Sequence, residues 1–113
     1  MTSVAPPSVT VILPTFNRAH LIAESINSLL AQTWPIEEII VVDDQSTDST
    51  WEILQEYAEQ SDLFNIARND SNLGYVKNFE KALTLCTGDY IALCDQDDIW
   101  LPNKISTQLA KIG

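Results

Sequence analysis

Apolar residues follow two spacings along the chain, and the two spacings alternate. Short, mostly apolar runs predict strands over residues 8–13, 38–42, 64–67 and 90–94, and the β-branched run of the first predicts burial on both faces. Stripes at every third or fourth position predict helices over about residues 18–33, 49–60, 76–86 and 101–112. The pattern therefore alternates strand and helix four times.

Two local signals set the expected element ends. Pro14 is expected to stop the first strand, because proline has no backbone N–H to donate. Ser49 and Glu52 have the spacing of a capping box, in which each side chain accepts a backbone N–H of the other residue. The second helix is therefore expected to begin directly after Ser49.

Strand–helix alternation predicts an α/β fold with a mostly parallel sheet and helices on both faces. Residues 1–7 are a loose lead-in, and residues 8–113 are expected to form one domain. In open parallel sheets, ligands bind outside the carboxyl ends of the strands. Polar residues follow three of the predicted strands at that edge, so the edge is the candidate site.

Carboxylates dominate this edge, and each group has two interpretations. Asp95 and Asp97, two residues apart, can hold Mg²⁺ or Mn²⁺ together with substrate phosphates, or the run to Asp98 caps the last helix and binds nothing. Asp43 or Asp44 can accept a hydrogen bond from a base N–H or a ribose hydroxyl. Either can instead accept N–H groups of its own turn, and one of the pair is expected to be structural.

The charge balance narrows the partners. Sixteen acidic residues against six basic ones give a net charge of −10. Such a surface repels nucleic-acid polymers and anionic membranes, and it suits divalent cations where carboxylates converge. The excess is also compatible with a merely solvated surface. No apolar run reaches the ~18 residues of a membrane span.

Several segments, in order, carry a family resemblance. They are Val9–Arg18, Glu38–Thr50, Asn72–Gly74, Thr87–Ile91 and Asp95–Pro102. The chain resembles the N-terminal, nucleotide-sugar-binding half of a family 2 glycosyltransferase. The resemblance implies a Rossmann-like GT-A nucleotide-diphospho-sugar transferase fold, incomplete at its C-terminus.

The resemblance also implies site residues. Nucleotide binding falls on Pro14, Thr15, Asn17, Asp43, Asp44, Lys77, Asp95 and Gln96. Asp44 would face the base, and Lys77 would serve a phosphate as a point charge. Asp95-Gln96-Asp97 stands where the family has an Asp-X-Asp motif, so Asp97 would be the main ligand of Mg²⁺ or Mn²⁺ and Asp95 would face the metal or the ribose. Relatives often have glycine at the position of Gln45, and glutamine is tolerated there if its φ is negative.

The implied reaction is inverting transfer of a sugar from a UDP-, dTDP- or GDP-linked donor to a hydroxyl of a glycan or lipid-linked acceptor. The expected context is bacterial polysaccharide or cell-envelope glycan synthesis, in the cytoplasm or at the inner membrane through a further part of the protein. No residue is assigned as the catalytic base, which the family carries in a later half, so the chain alone is expected to be inactive.

Three other classes compete with this interpretation. A non-catalytic nucleotide-binding module remains the main alternative. A phosphoacceptor receiver domain and a metal-dependent phosphohydrolase both need their acidic pair after the first strand. This chain has Pro14-Thr15 there, which disfavours both.

Overall fold

The computed structural model describes residues 8–86, 88–95 and 98–112. Strands and helices alternate through them as the apolar pattern predicts. The elements are β1 (Val9–Thr15), α1 (Ile22–Leu30), β2 (Glu38–Asp43), α2 (Thr50–Gln60), β3 (Phe64–Arg68), α3 (Tyr75–Thr84), β4 (Tyr90–Leu93) and α4 (Lys104–Ile112). Among the described residues, no helix is long and apolar enough to cross a membrane.

The four strands form one sheet in the order β3-β2-β1-β4. Every described pairing is parallel. β1 and β2 are the inner strands, and their apolar runs are almost entirely buried. Their carboxyl ends adjoin at the edge where Thr15 pairs with Asp43. The predicted parallel sheet is confirmed.

Helices cover both faces of the sheet, as predicted. One core joins alternate β1 and β2 residues to α1, α2 and α4, through side chains that include Ile26, Leu54 and Ile105. A smaller core on the other face joins Ile12 and Ile40 to α3. The outer strand β4 is less covered, with Ile91 48% and Leu93 40% exposed. The sheet is therefore well packed at its centre and more open at β4.

Pro14 was expected to stop β1, but it does not. The strand continues to Thr15, and Pro14 pairs in register with Val42 of β2. Odd-numbered β1 residues bond to the β2 side, as in Glu37 N–H to Val9 O, whereas the carbonyl of Ile12 accepts from Cys94 on the β4 side. The missing N–H of Pro14 faces the β4 side, beyond the last β4 pair at Ile12 and Leu93. Proline therefore costs the ladder no hydrogen bond here.

The capping-box prediction is wrong, although α2 begins where it was expected. Ser49 makes no side-chain capping hydrogen bond. Asp48 binds the start of α2 instead, because its Oδ1 accepts the N–H of Thr50 at 2.9 Å and the Thr50 hydroxyl at 2.5 Å. The other Asp48 oxygen accepts the N–H of Ala19 at 3.1 Å. One carboxylate therefore ties α2 to the segment that precedes α1.

Candidate functional site

A pocket of about 170 Å³ lies at the carboxyl ends of β1 and β2. Three of the sequence-predicted site residues line it: Pro14, Thr15 and Asp44. The other lining residues are Phe16, Asn72, Gly74, Tyr75 and Asn78. The pocket combines two aromatic rings with a carboxylate. Its volume suits part of a nucleotide, such as a base, rather than a whole nucleotide sugar.

Asp43 lies beneath the pocket and is fully buried. Its Oδ1 accepts the hydroxyls of Thr15 at 2.7 Å and Ser46 at 2.6 Å, and its Oδ2 accepts the backbone N–H of Ser46 at 2.9 Å. Arg68 stands 3.8 Å away and donates to the carbonyl of Ser46. The alternative in which one acidic residue of this pair binds its own turn is confirmed for Asp43.

Asp44 lines the pocket but is also bound to the loop before α3. Its Oδ1 accepts the side-chain N–H of Asn69 at 2.9 Å and the backbone N–H of Leu73 at 2.7 Å. Its Oδ2 accepts the N–H of Gly74 at 2.9 Å. An ionised carboxylate has about four acceptor positions. Asp44 therefore keeps about one position, on Oδ2, for a ligand.

Asn17 holds the loop that follows Asp44 and is not among the pocket-lining residues. Its side-chain oxygen accepts the N–H of Thr47 at 2.7 Å, and its own N–H donates to the hydroxyl of Ser46 at 2.9 Å. Its φ is 49°, which asparagine tolerates better than most residues. The contribution of Asn17 to nucleotide binding stays a prediction, and its described contacts shape the loop.

Gln45 does not meet the condition under which a side chain is easily tolerated in this turn, because its φ is +60°. The side chain donates to the carbonyl of Asp70 at 2.8 Å, across to the loop after β3. A residue with a Cβ pays roughly 1–2 kcal/mol in this conformation. The turn therefore has the geometry that glycine would adopt freely, and the Gln45 side chain adds a hydrogen bond to Asp70.

A buried chain of amides supports Asp44 from below. Asn69 donates to Asp44 and also to Asn78, whose own amide donates to the carbonyl of Val42 at 2.8 Å. Lys81 donates to the side-chain oxygen of Asn69 at 2.7 Å. Sequence reasoning did not single out Asn69 or Lys81. The chain pattern offered little signal, because the contacts join residues from three elements.

The acidic segment after β4 is in a different environment. Asp95 is exposed, and its Oδ1 accepts the hydroxyl of Tyr75 at 2.9 Å. Its backbone carbonyl accepts the N–H of Asp98 at 2.9 Å. Burial of the phenol, then the hydrogen bond to Asp95 and the charges of Asp95 and Asp98, raise the pKa of Tyr75. The predicted site residues Gln96 and Asp97 lie outside the described residues.

Lys77 lies in the first turn of α3 with an exposed side chain, and it is not among the pocket-lining residues. Its predicted phosphate contact stays a prediction. Phe16 and Tyr75 line the pocket but were not predicted. Phe16 belongs to the loop after β1 that was singled out, so its aromatic ring was a usable signal. Tyr75 adjoins Asn72–Gly74, and only the tertiary structure brings it to Asp95.

A larger groove, of about 530 Å³, runs beside α4 and is lined by residues that include Trp100 and Lys104. Trp100 is 5% exposed and packs in the core, and its N–H donates to the hydroxyl of Ser28. Of the predicted acidic residues, only Asp98 lines this groove among the described residues. The pocket at β1 and β2 is therefore the better candidate site despite its smaller volume, because more of the predicted site residues line it.

Comparison with known proteins assigns the chain to a family. The model described as "Glycosyl transferase family 2" matches residues 10–113. The chain therefore belongs to glycosyl transferase family 2, as its sequence motifs indicated. The solved structures it resembles are GT-A glycosyltransferases, which confirms the predicted fold.

Two curated relatives are similar to this chain over most of its length. One is a Bacillus subtilis (strain 168) protein, TuaG, provisionally described as a teichuronic acid biosynthesis glycosyltransferase; it is 38% identical over 91% of this chain and 41% of its own length. The other is the Escherichia coli UDP-Glc:alpha-D-GlcNAc-diphosphoundecaprenol beta-1,3-glucosyltransferase WfgD, 34% identical over 90% of this chain and 40% of its own length. The chain spans about two fifths of the length of these relatives.

Two solved structures share the fold closely. S. aureus TarS 1-349 in complex with UDP is 31% identical, with a TM-score of 0.83 over 93% of this chain and 32% of that chain. The mannosyltransferase PcManGT from Pyrobaculum calidifontis, in complex with GDP-Man and Mn²⁺, is 32% identical, with a TM-score of 0.84 over 95% of this chain and 32% of that chain.

Proposed function

We propose that this chain is the donor-binding part of a glycosyltransferase that transfers a sugar from a nucleotide diphosphate to an acceptor hydroxyl. One observation carries the proposal. The pocket contains the Asp44 carboxylate, which keeps an acceptor position, and the Asp95 carboxylate lies beside the pocket. Tyr75 lines the pocket, and its hydroxyl donates to Asp95. A donor needs both: one place for the base and another for the diphosphate.

The base would enter the pocket between Phe16 and Tyr75, both of which are partly exposed. Aromatic rings offer a flat base a stacking surface. The remaining acceptor position of Asp44 suits an N–H at the edge of a base. The Thr15 hydroxyl would offer the base no donor, because its proton already goes to Asp43. An N–H of the base, rather than an acceptor, would therefore face Asp44.

The diphosphate would lie toward Asp95, where a cation would offset the repulsion between the phosphates and the exposed carboxylates of Asp95 and Asp98. Mg²⁺ and Mn²⁺ take one or two carboxylates and complete their coordination with substrate phosphates. Among the described residues no group of three potential metal ligands forms, but the exposed carboxylates of Asp95 and Asp98 fit this sparser donor set, with Asp97 as the further predicted ligand. When bound, such an ion would neutralise charge on the leaving diphosphate.

The relatives support the chemistry at the level of class. TarS structures contain UDP and UDP-GlcNAc, and PcManGT contains GDP-Man with Mn²⁺. TuaG is described with teichuronic acid biosynthesis, and WfgD with UDP-Glc and alpha-D-GlcNAc-diphosphoundecaprenol. We propose the same general setting for this chain, with a glycan or lipid-linked acceptor and inversion at the transferred carbon. Because the chain spans about two fifths of those relatives, we also propose that transfer requires residues beyond these 113.

Calorimetric titration with UDP, dTDP and GDP, each with Mn²⁺ or with a chelator, tests donor binding. We expect one nucleotide to bind in the micromolar to millimolar range and to bind at least about tenfold more tightly with Mn²⁺. Asp95→Asn and Asp97→Ala should remove most of that enhancement. Asp62→Asn is the matched control, because Asp62 is exposed and precedes β3 at the opposite edge of the sheet.

Absence of nucleotide binding by the folded wild-type chain would overturn the donor-binding proposal. Binding that is the same with and without Mn²⁺ would overturn the cation site alone. Binding by a longer form of the protein that transfers no sugar from any of these donors would favour the alternative, a non-catalytic nucleotide-binding module.

A further inference from the structure

Tyr75 occupies a position between the two halves of the candidate site. It is the first residue of α3, and it lines the pocket that contains Asp44. Its hydroxyl donates to Asp95 Oδ1 at 2.9 Å, although Asp95 follows β4 and is 20 residues away in sequence. Among the described residues, this is the hydrogen bond recorded for the Asp95 carboxylate. The Asp95 main chain makes a separate hydrogen bond, from the N–H of Asp98 to the carbonyl of Asp95.

The segment that presents Tyr75 is itself fixed by Asp44. The N–H groups of Leu73 and Gly74, directly before Tyr75, donate to the Asp44 carboxylate at 2.7 and 2.9 Å. Asn72 donates from its side chain to the Asp44 carbonyl at 3.1 Å. Asp44 is therefore connected to Asp95 through its hydrogen bond to Gly74, the peptide unit between Gly74 and Tyr75, and the Tyr75 side chain.

We propose that Tyr75 is a positioning residue that holds the Asp95 carboxylate at the edge of the nucleotide pocket, so that Asp95 is ordered before a cation and a diphosphate arrive. This inference rests on the proposed function. Its physical basis is pre-organisation: a side chain that is already ordered loses less conformational freedom when its ligand binds. Tyr75 suits this purpose because its ring also contacts the pocket, which limits the positions open to its hydroxyl.

Tyr75→Phe tests the proposal, because it removes the hydroxyl and keeps the ring. With Mn²⁺ present, we expect nucleotide affinity to fall about three- to tenfold, the cost of ordering one side chain on binding. With a chelator present, affinity should change less than about twofold, since the ring remains. A second readout is the affinity for Mn²⁺ alone, measured by water-proton relaxation, which should also fall in Tyr75→Phe.

A double-mutant cycle shows whether Tyr75 acts through Asp95. If it does, Tyr75→Phe should have no effect on Mn²⁺-dependent binding when Asp95→Asn is already present. Tyr57→Phe is the matched control, because the Tyr57 hydroxyl makes a similar exposed bond, to Asn27 Oδ1 at 2.8 Å, on the helices α1 and α2. That control should leave both affinities unchanged.

Two results would overturn the proposal while leaving donor binding intact. One is a Tyr75→Phe chain that keeps the full Mn²⁺ enhancement. The other is a loss that is equal with and without Mn²⁺, or additive with Asp95→Asn, since either would make Tyr75 a direct nucleotide contact. A wild-type chain that binds neither nucleotide nor Mn²⁺ would overturn this proposal together with the proposed function.

Discussion

Asp43 and Asp44 lie where β2 ends, and Asp95 and Asp98 follow β4 at the same edge of the sheet, but the carboxylates of the two pairs have different environments. Those of Asp43 and Asp44 are 0% and 4% exposed, and together they accept six hydrogen bonds from this chain. Asp95 and Asp98 are exposed, and the Tyr75 hydroxyl is the described partner of Asp95.

The difference separates carboxylates that hold the fold from carboxylates that are available to a ligand. A buried carboxylate is tolerated only when donors of the protein satisfy it. Asp43 has reached that state, and Asp44 has nearly reached it. An exposed carboxylate with few protein partners can instead exchange water for a cation. We therefore expect mutations in the first segment to change stability and those in the second to change binding.

Asp43→Ala is expected to have the largest effect on stability, because Asp43 is fully buried. Asp43→Ala removes the acceptor of the Thr15 and Ser46 hydroxyls and leaves those buried donors without it, at a cost of about 3 kcal/mol in the free energy of unfolding. Urea denaturation measures this. Asp95→Ala, the counterpart, should cost less than about 0.5 kcal/mol. Equal costs at the two positions would contradict the distinction.

A second change tests Asp44, which has both a structural and a binding role. Asp44→Asn keeps the shape but turns amide hydrogens toward N–H groups that need an acceptor, so we expect a loss of about 2 kcal/mol. Amide hydrogen exchange should quicken at Leu73 and Gly74, whose N–H groups bind the carboxylate. Asp70→Asn, an exposed change in the neighbouring loop, should leave that exchange unaltered; if it does not, Asp44 is not what holds the loop.

Gln45, in the loop after Asp44, and Asn17, which binds that loop from the segment after β1, both have positive φ and should respond in opposite directions to glycine. Gln45→Gly relieves the cost of a Cβ and loses one exposed bond to Asp70, so we expect a gain of about 0.5 kcal/mol. Asn17→Gly loses the acceptor of the Thr47 N–H, so we expect a loss of about 1 kcal/mol. Thermal unfolding of the two variants should shift the melting temperature up and down respectively; a shift of the same sign in both would mean that backbone conformation, or side-chain bonding, acts alone.

The smallest expected effect concerns pH. Partial burial raises the pKa of Asp48, but hydrogen bonds from Thr50 and Ala19 outweigh it, and the pKa lies below its ordinary value of 3.8. A pKa lowered by folding contributes stability that is present above 3.8 and is lost as the pH falls through the folded value. Between about pH 5 and pH 3, wild type should therefore lose slightly more stability in urea than Asp48→Asn. Glu59→Gln, an exposed change near the end of α2, is the control and should follow wild type.

Much of the fold was predictable, and the exceptions have local causes. Strand and helix order follows from apolar spacing, because a buried strand and an amphipathic helix impose different periods. Pro14 was misjudged because its effect depends on which neighbour its nitrogen faces, and β4 ends before reaching it. The cap of α2 was assigned to Ser49, since a capping box and an aspartate cap look alike in sequence when Asp48 and Ser49 are adjacent.

The sequence predicts where the candidate site lies, but not which residues contact one another there. Pro14, Thr15 and Asp44 do line one pocket, because parallel strands bring their carboxyl ends to one edge. Tyr75 could not be anticipated, since nothing in its local sequence indicates a bond to Asp95. The roles of Asn17 and Asp43 in nucleotide binding stay predictions. Asn17 contacts the loop after Asp44, and Asp43 contacts Ser46 of that loop and Thr15 of β1.

Periodicity and short motifs are enough to predict the α/β class, the parallel sheet, the family and the edge where the chemistry lies. They do not predict which carboxylates the protein already satisfies, since that follows only from the packed fold. The hydrogen bonds that satisfy them join residues as far apart as Thr15 and Asp43, or Asp44 and Gly74, 28 and 30 positions along the chain. Such pairings arise only when the strands are packed side by side, so two acidic segments that look alike in sequence acquire different chemistry.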